Sequence, residues 1–274
     1  MALIAVNDIR LHVERGGDGP PLLLLHGFTG SAATWAPLLP ALQRHVTTVA
    51  PDLIGHGHSD APADPARYAM DRCVADLVAL LDALAIERTA VLGYSMGGRV
   101  ALHLALAAPE RVTALVLEGA SPGIADPAER AARAASDAAL AEQIEREGLA
   151  SFVDAWERLP LFATQQRLPA ATRARLRAQR LAHTPRGLAN SLRGMGAGVM
   201  PPVHDRLGEI QVPALLIAGE LDGKYRALCQ TMAAAMPRAT AAIIPDAGHA
   251  AHLEQPAAFT QAVLAFLVGE EQDR

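Results

Sequence analysis

Cysteine is nearly absent: only Cys73 and Cys229 occur in 274 residues, far apart in the chain. A disulfide scaffold is excluded, and a reducing compartment is the expectation. Lysine is scarcer still. Lys224 stands alone, so 23 of the 24 basic residues are arginine, and 29 acidic residues bring the net charge to −5. No general basic field is present to hold a nucleic acid, which removes that class of partner. Long hydrophobic runs are also lacking. Leu22–Leu25 and Ala262–Val268 fall far short of the roughly 20 residues that a membrane span needs. The start, MALIAVNDIR, has no basic stretch and too short an apolar one for a secretory leader. The reading is of a cytoplasmic protein that does not insert in a membrane. There is no Walker loop and no G-x-G-x-x-G after a strand, so no nucleotide or other cofactor is expected.

What the chain does have is apolar content, 51% against 19% charged residues. That fills a sizeable core and suits one large domain, or one core with an inserted cap. IAVNDIRLHVER reads as two short strands around an Asn7-Asp8 turn. Leu22–Leu25 and Val46–Ala50 are continuous aliphatic runs of the kind buried on both faces of a parallel sheet. Met70, Cys73, Val74, Leu77, Leu80, Leu81 and Leu84 follow helical spacing. Thr89–Leu92 and Val112–Leu117 read as strands, with a helix over Gly97–Ala108 between them. Val212–Ala218 and Ala241–Ile244 are later strands, each followed by a helical stretch. The alternation predicts an α/β fold with a mostly parallel central sheet flanked by helices.

Between Ser121 and Arg206 the alternation stops. This stretch is helix-rich, carries seven prolines, and holds 12 arginines against 9 acidic residues. The rest of the chain has 12 basic and 20 acidic residues, so a positive segment sits on a negative body. We expect residues 1–120 and 207–274 to form the core and residues 121–206 an inserted helical cap. Phe152, Val153, Trp156, Leu159, Leu161 and Phe162 give that cap something to pack. Its arginines are either solvated helix faces or a receiver for an anion.

The chemistry gathers at strand ends. Gly93-Tyr94-Ser95-Met96-Gly97 follows a strand and opens a helix, the setting of a G-x-S-x-G nucleophile elbow. The sharp turn exposes the serine hydroxyl, and glycines on either side remove colliding side chains. A serine needs a base and an acid to orient that base. Asp222 and His249 follow later strands in the required order. Glu220, Asp246 and Glu118 remain as alternative acids, and His252 as an alternative base. His26-Gly27-Phe28-Thr29-Gly30 fits the loop whose backbone N–H joins the one after the nucleophile, so the oxyanion donors expected are Phe28 and Met96 N–H. His26 reads as a loop brace. Gly55-His56-Gly57-His58 has metal-like spacing without an evident third ligand, and a tight loop is the better reading.

These motifs together resemble the α/β-hydrolase superfamily over almost the whole chain. LLLLHGFTGSAATW, DLIGHGHSDAP, LGYSMGGRVAL, LEGASPGI, WERLPLFATQQRLP, GLANSLRGMG and GELDGKY further resemble the menaquinone-pathway family of 2-succinyl-6-hydroxy-2,4-cyclohexadiene-1-carboxylate synthases. The specific marks are Arg99 after the elbow, Ser121-Pro122-Gly123 where the cap begins, and the cap segments. The resemblance implies a cofactor-free lyase that eliminates pyruvate from a small-molecule polycarboxylate. His249 would remove a proton, with Ser95 hydrogen-bonded to it and Asp222 orienting it. Arg99, Arg133 and Arg180 would meet carboxylates, which arginine can bind bidentately. Tyr94 and Trp156 would line the pocket, and Arg193 is a spare cation. The residues alone leave open a serine ester or C–C bond hydrolase with the same triad, or a non-catalytic hydrolase-fold binding protein.

Overall fold

The computed structural model describes residues 2–272. Its sheet has eight strands: β1 (Ala2–Val6), β2 (Ile9–Gly16), β3 (Pro21–Leu25), β4 (Thr47–Pro51), β5 (Thr89–Tyr94), β6 (Val112–Glu118), β7 (Ala214–Gly219) and β8 (Ala239–Ile244). Their spatial order is β1-β2-β4-β3-β5-β6-β7-β8. β1 and β2 form the antiparallel hairpin, turning at Asn7 with φ 49°. Asparagine tolerates that left-handed conformation better than most residues. From β4 to β8 every pairing is parallel.

The run Leu22–Leu25 shows why central strands are apolar throughout. All four leucines are fully buried, but they feed two different cores. Leu23 and Leu25 pack with α2 (Met70–Ala83), α3 (Met96–Ala107) and α7 (Gly223–Ala235). Leu22 and Leu24 pack on the opposite face with Trp35, α1 (Leu39–Leu42), α8 (Ala251–Glu254) and α9 (Pro256–Gln272). Alternation along a strand sends successive side chains to opposite faces, so covering both faces demands an unbroken apolar run.

The helices between β6 and β7 stand over the carboxyl ends of the strands. α4 spans Pro127–Trp156, with Asp126 accepting from Glu129 N–H at 2.8 Å as its N-cap. It breaks at Gly148, whose φ of 80° lies outside the helical region. α5 (Ala170–Leu181) and α6 (Pro185–Met195) follow. Ala141, Ile144, Phe152, Val153, Leu188, Ala189 and Leu192 form a third, smaller core of their own. Phe28, from the loop after β3, packs against both this core and the main one. The two ends of the insertion are tied by Val203 N–H donating to the Pro122 carbonyl at 2.8 Å.

A cluster of three histidines in tilted and edge-on contact joins the helices between β6 and β7 to the sheet's loops. His26 donates from Nδ1 to the Gly27 carbonyl at 2.8 Å and accepts from Leu53 N–H at 3.0 Å, bracing the loops after β3 and β4. His183, between α5 and α6, accepts from Gly57 N–H at 3.0 Å and donates to the Thr29 carbonyl at 2.9 Å. His56 lies between them, 5.0 Å from the His26 ring and 5.4 Å from that of His183. The loop Gly55–Ser59 also closes on Asp52, which takes His58 N–H at 2.8 Å, Ala32 N–H at 2.6 Å and the His12 ring at 2.9 Å.

Burial drives all three clustered histidines toward the neutral form: His26 is pushed down to about 4, and His56 and His183 also fall below the ordinary 6.5. The unfolded chain would take up these protons first. Stability is therefore full above about pH 6.5 and is lost as pH falls toward about 4. Urea unfolding followed from about pH 7.5 to about pH 5 should give a steadily falling midpoint. A midpoint that holds constant or rises across that window contradicts the histidine assignment.

Candidate active site

Ser95 sits where β5 becomes α3, with φ 50° and ψ −105°. A non-glycine residue held there carries strain of about 1–3 kcal/mol. Surroundings enforce it. Ser95 N–H donates to the Glu118 carbonyl of β6 at 2.8 Å. A side chain on Gly93 would meet the Gly97 carbonyl, and one on Gly97 would meet the Leu25 carbonyl of β3. Both glycines are thus demanded by close backbone approach.

The candidate base and its orienting acid follow β7 and β8. Asp222 follows β7 and accepts from Tyr225 N–H at 3.2 Å, capping α7. Its other oxygen lies 2.8 Å from His249 Nδ1, and His249 Nε2 lies 3.2 Å from Ser95 Oγ. A carboxylate can only accept, so Nδ1 carries the ring proton and Nε2 is left as a base toward the serine hydroxyl. The His249 ring is buried and packed by Tyr225 at 4.4 Å, Tyr94 at 5.4 Å and Phe162 at 6.3 Å between centroids. Phe28 and Met96 both line the space beside Ser95.

That space is a cavity of about 570 Å³ between the strand ends and the inserted helices. Its charged lining is Arg99, Arg133, Arg180 and Lys224 against Glu129 and Asp137, a surplus of positive charge. Arg99 Nε is buried with no hydrogen-bond partner among the described residues, and burial pulls its pKa downward. Arg133 is tied through Nε to Asp137 at 2.8 Å but stays half exposed. Arg180 is buried, donating to Glu157 at 2.9 Å and to the Gln165 side-chain carbonyl at 3.0 Å. Tyr94 and Trp156 line the same cavity, and the Trp156 ring packs on Phe28, Phe152 and Phe162, each at 5.4 Å.

Residues 20–256 match the family model described as alpha/beta hydrolase fold. A Bacillus subtilis (strain 168) protein, named provisionally as a 2-succinyl-6-hydroxy-2,4-cyclohexadiene-1-carboxylate synthase, is 44% identical over 90% of this chain and 89% of its own length. The synthase of that name from Serratia proteamaculans (strain 568) is 34% identical over 92% of this chain and 94% of its own. The structure of MenH from S. aureus matches with a TM-score of 0.91 at 34% identity, covering 95% of this chain and 99% of the other. The chain belongs to the α/β-hydrolase family.

In this α/β-hydrolase the rival acids and base are engaged elsewhere. Glu220 accepts from Asp246 N–H at 3.0 Å, and Asp246 pairs with Arg167 at 2.6 Å, both exposed. Glu118 and His252 find each other. The Glu118 carboxylate lies 2.7 Å from His252 Nδ1 and accepts His252 N–H at 3.0 Å, with both side chains fully buried. Glu118 therefore links the nucleophile turn, through its carbonyl, to the histidine loop, through its carboxylate. Arg193 is not at the site. It pairs with Glu145 of α4 at 2.7 and 3.0 Å, because its helix face turns toward α4 and away from the cavity. Conversely, Tyr225, Lys224 and Asp137 line the cavity without having been singled out from sequence. Tyr225 and Lys224 lie within three residues of Asp222, and that proximity to the acid is the signal that was available.

Removing the Glu118 carboxylate leaves two buried N–H donors of His252, on the ring and on the backbone, without their acceptor, at about 1–3 kcal/mol for an unsatisfied group. Glu118→Leu should therefore lower unfolding stability by about 2 kcal/mol or more in urea titration. A loss under about 1 kcal/mol, the range of exposed pairs, would show that the pair does not tie the two loops.

Proposed function

We propose that this enzyme eliminates pyruvate from 2-succinyl-5-enolpyruvyl-6-hydroxy-3-cyclohexene-1-carboxylate, giving 2-succinyl-6-hydroxy-2,4-cyclohexadiene-1-carboxylate. The observation that carries the reading is the Ser95–His249–Asp222 set opening on a cation-lined cavity. The similarity to the synthases supports the substrate. In this reading residues 121–206 act as the cap that completes the cavity, and the protein works in the cytoplasm without a cofactor.

The chemistry follows from the substrate's bonds. The ring carbon bearing the succinyl group holds a proton made acidic by the adjacent ketone. His249 Nε2, sharing the Ser95 hydroxyl, removes that proton, and Asp222 stabilises the imidazolium that results. The electron pair moves onto the ketone oxygen, where the N–H groups of Phe28, in the loop after β3, and Met96, at the elbow, receive the charge. As the pair returns through the ring double bond, the ring carbon–oxygen bond breaks. The enolpyruvate leaves, takes up a proton at its methylene carbon, and becomes pyruvate. Arg99, Arg133 and Arg180 hold the carboxylates, with Tyr94 and Trp156 as apolar walls. A hydrogen bond to a charged group contributes about 1.5–3 kcal/mol, so several such contacts fix a multiply anionic ring.

Turnover assays test both halves. His249→Ala and Ser95→Ala should each lower kcat/KM for pyruvate release by about 10²–10⁴; near-normal rates in either variant overturn the triad's role. Arg99→Ala should raise KM for the anionic ring substrate about tenfold or more while leaving that for a neutral aryl ester nearly unchanged. Equal changes for both substrates would show that Arg99 is not a carboxylate receiver.

A further inference from the structure

A second cleft, of about 310 Å³, opens on the outer face of the inserted helices. Its walls include Glu157, Arg173, Ala174 and Arg177, and it shares Gln165, Leu176 and Arg180 with the main cavity. These three side chains are the partition between the two spaces. Arg180 stands at its centre. One guanidinium nitrogen bonds Glu157, a wall of the outer cleft, at 2.9 Å. The other bonds Gln165, common to both, at 3.0 Å, and the guanidinium carbon lies 5.7 Å from the centroid of Phe162 in the main cavity.

The outer cleft is positive. Its lining carries three arginines and one glutamate. Arg177 is held by Glu157 at 3.0 Å and by Asp154 at 2.6 Å. Arg180 shares the same Glu157. Among the described residues Arg173 bonds a neutral oxygen, that of Gln166 at 3.2 Å, and it is exposed. The order from inside to outside is a buried arginine, a half-buried one and an exposed one. A carboxylate moving along that line exchanges one guanidinium for the next, with the bidentate geometry that arginine offers.

Size selects what can pass. The partition is one side-chain layer, so the displacement of Arg180 from Glu157 opens a path for a small acid and not for a substituted ring. We propose that the outer cleft is a release port for the three-carbon keto acid, with Arg180 as its gate and Arg173 and Arg177 as its outer carboxylate subsite. The inference rests on the elimination reading above, which makes the three-carbon keto acid the small product that leaves. Release of product is often the slow step of an enzyme, which gives a charged path a function.

Pyruvate itself is the probe. Its binding to the full-length enzyme is measured by line broadening of the [2-¹³C]pyruvate resonance, beside the KM for the ring substrate and the pyruvate released per turnover. Arg173→Gln with Arg177→Gln should weaken pyruvate binding at least fivefold and leave KM for the ring substrate within about twofold, the size of effect expected for loss of exposed charge contacts. Ala174→Phe, which fills the cleft and keeps its ion pairs, should weaken pyruvate binding to the same degree. If pyruvate is released by the wild type but its binding is unaltered in both variants, the port is wrong and the elimination reading stands. If KM for the ring substrate rises in step with the pyruvate Kd, the arginines serve the main cavity and the port is again wrong. If the wild type releases no pyruvate, the elimination reading itself falls.

Discussion

The backbone turn at Ser95 is the constraint on which the site depends. Its φ of 50° and ψ of −105° are held by a hydrogen bond to Glu118 of β6 and by contact of two glycines with neighbouring backbone. Three parallel strands thus specify one hydroxyl position. β6 extends that control, because the Glu118 carboxylate also holds the loop on which His249 lies, through His252. Nucleophile turn and base are consequently referred to the same strand end. A geometry that must be kept within a few tenths of an ångström is best built on rigid elements, and here the sheet supplies them.

The inserted helices have a different character. They carry a small core of their own, yet Met195 and Met200 join the main core, and polar and aromatic contacts tie them to the loops of the sheet, among them the Phe28–Trp156 pair at 5.4 Å, Gln179 bonded to Ser31 and Thr34 at 2.9 and 2.8 Å, and His183 on the loops after β3 and β4. The cavity between the two parts is walled by apolar aromatics and by arginines. Two of those arginines already have acidic partners, Asp137 and Glu157. An incoming carboxylate therefore competes with an internal one, which tempers its gain at Arg133 and Arg180. Arg99, whose buried Nε has no hydrogen-bond partner among the described residues, faces no such competitor there and should contribute most.

Much of this was legible in the chain. The unbroken run Leu22–Leu25 pointed to a strand covered on both faces, because such a strand buries successive side chains in both layers. The glycines around Ser95 announced the elbow, because close backbone approach admits nothing larger. The fates of Glu118, His252 and Arg193 were not legible. Glu118 and His252 are 134 residues apart, and only the register of β6 beside β5 and the turn into α8 brings them together. Arg193 differs from Arg180 only in which helix face meets the cavity, which depends on how α4, α5 and α6 pack and not on local pattern. The same limit hid the outer cleft, since a partition shared by two cavities is a property of packing alone.

The central claim is that the triad acts as a proton-abstracting base and not as an acyl-accepting nucleophile. Substrate carrying deuterium at the ring carbon that bears the succinyl group tests it most directly, with pyruvate release timed and the enzyme's intact mass recorded during turnover. A primary isotope effect on kcat/KM with no mass added to the protein is the predicted result. Accumulation of a covalent adduct on Ser95, with pyruvate release insensitive to the deuterium, would contradict it and return the enzyme to serine-hydrolase chemistry on the same three residues.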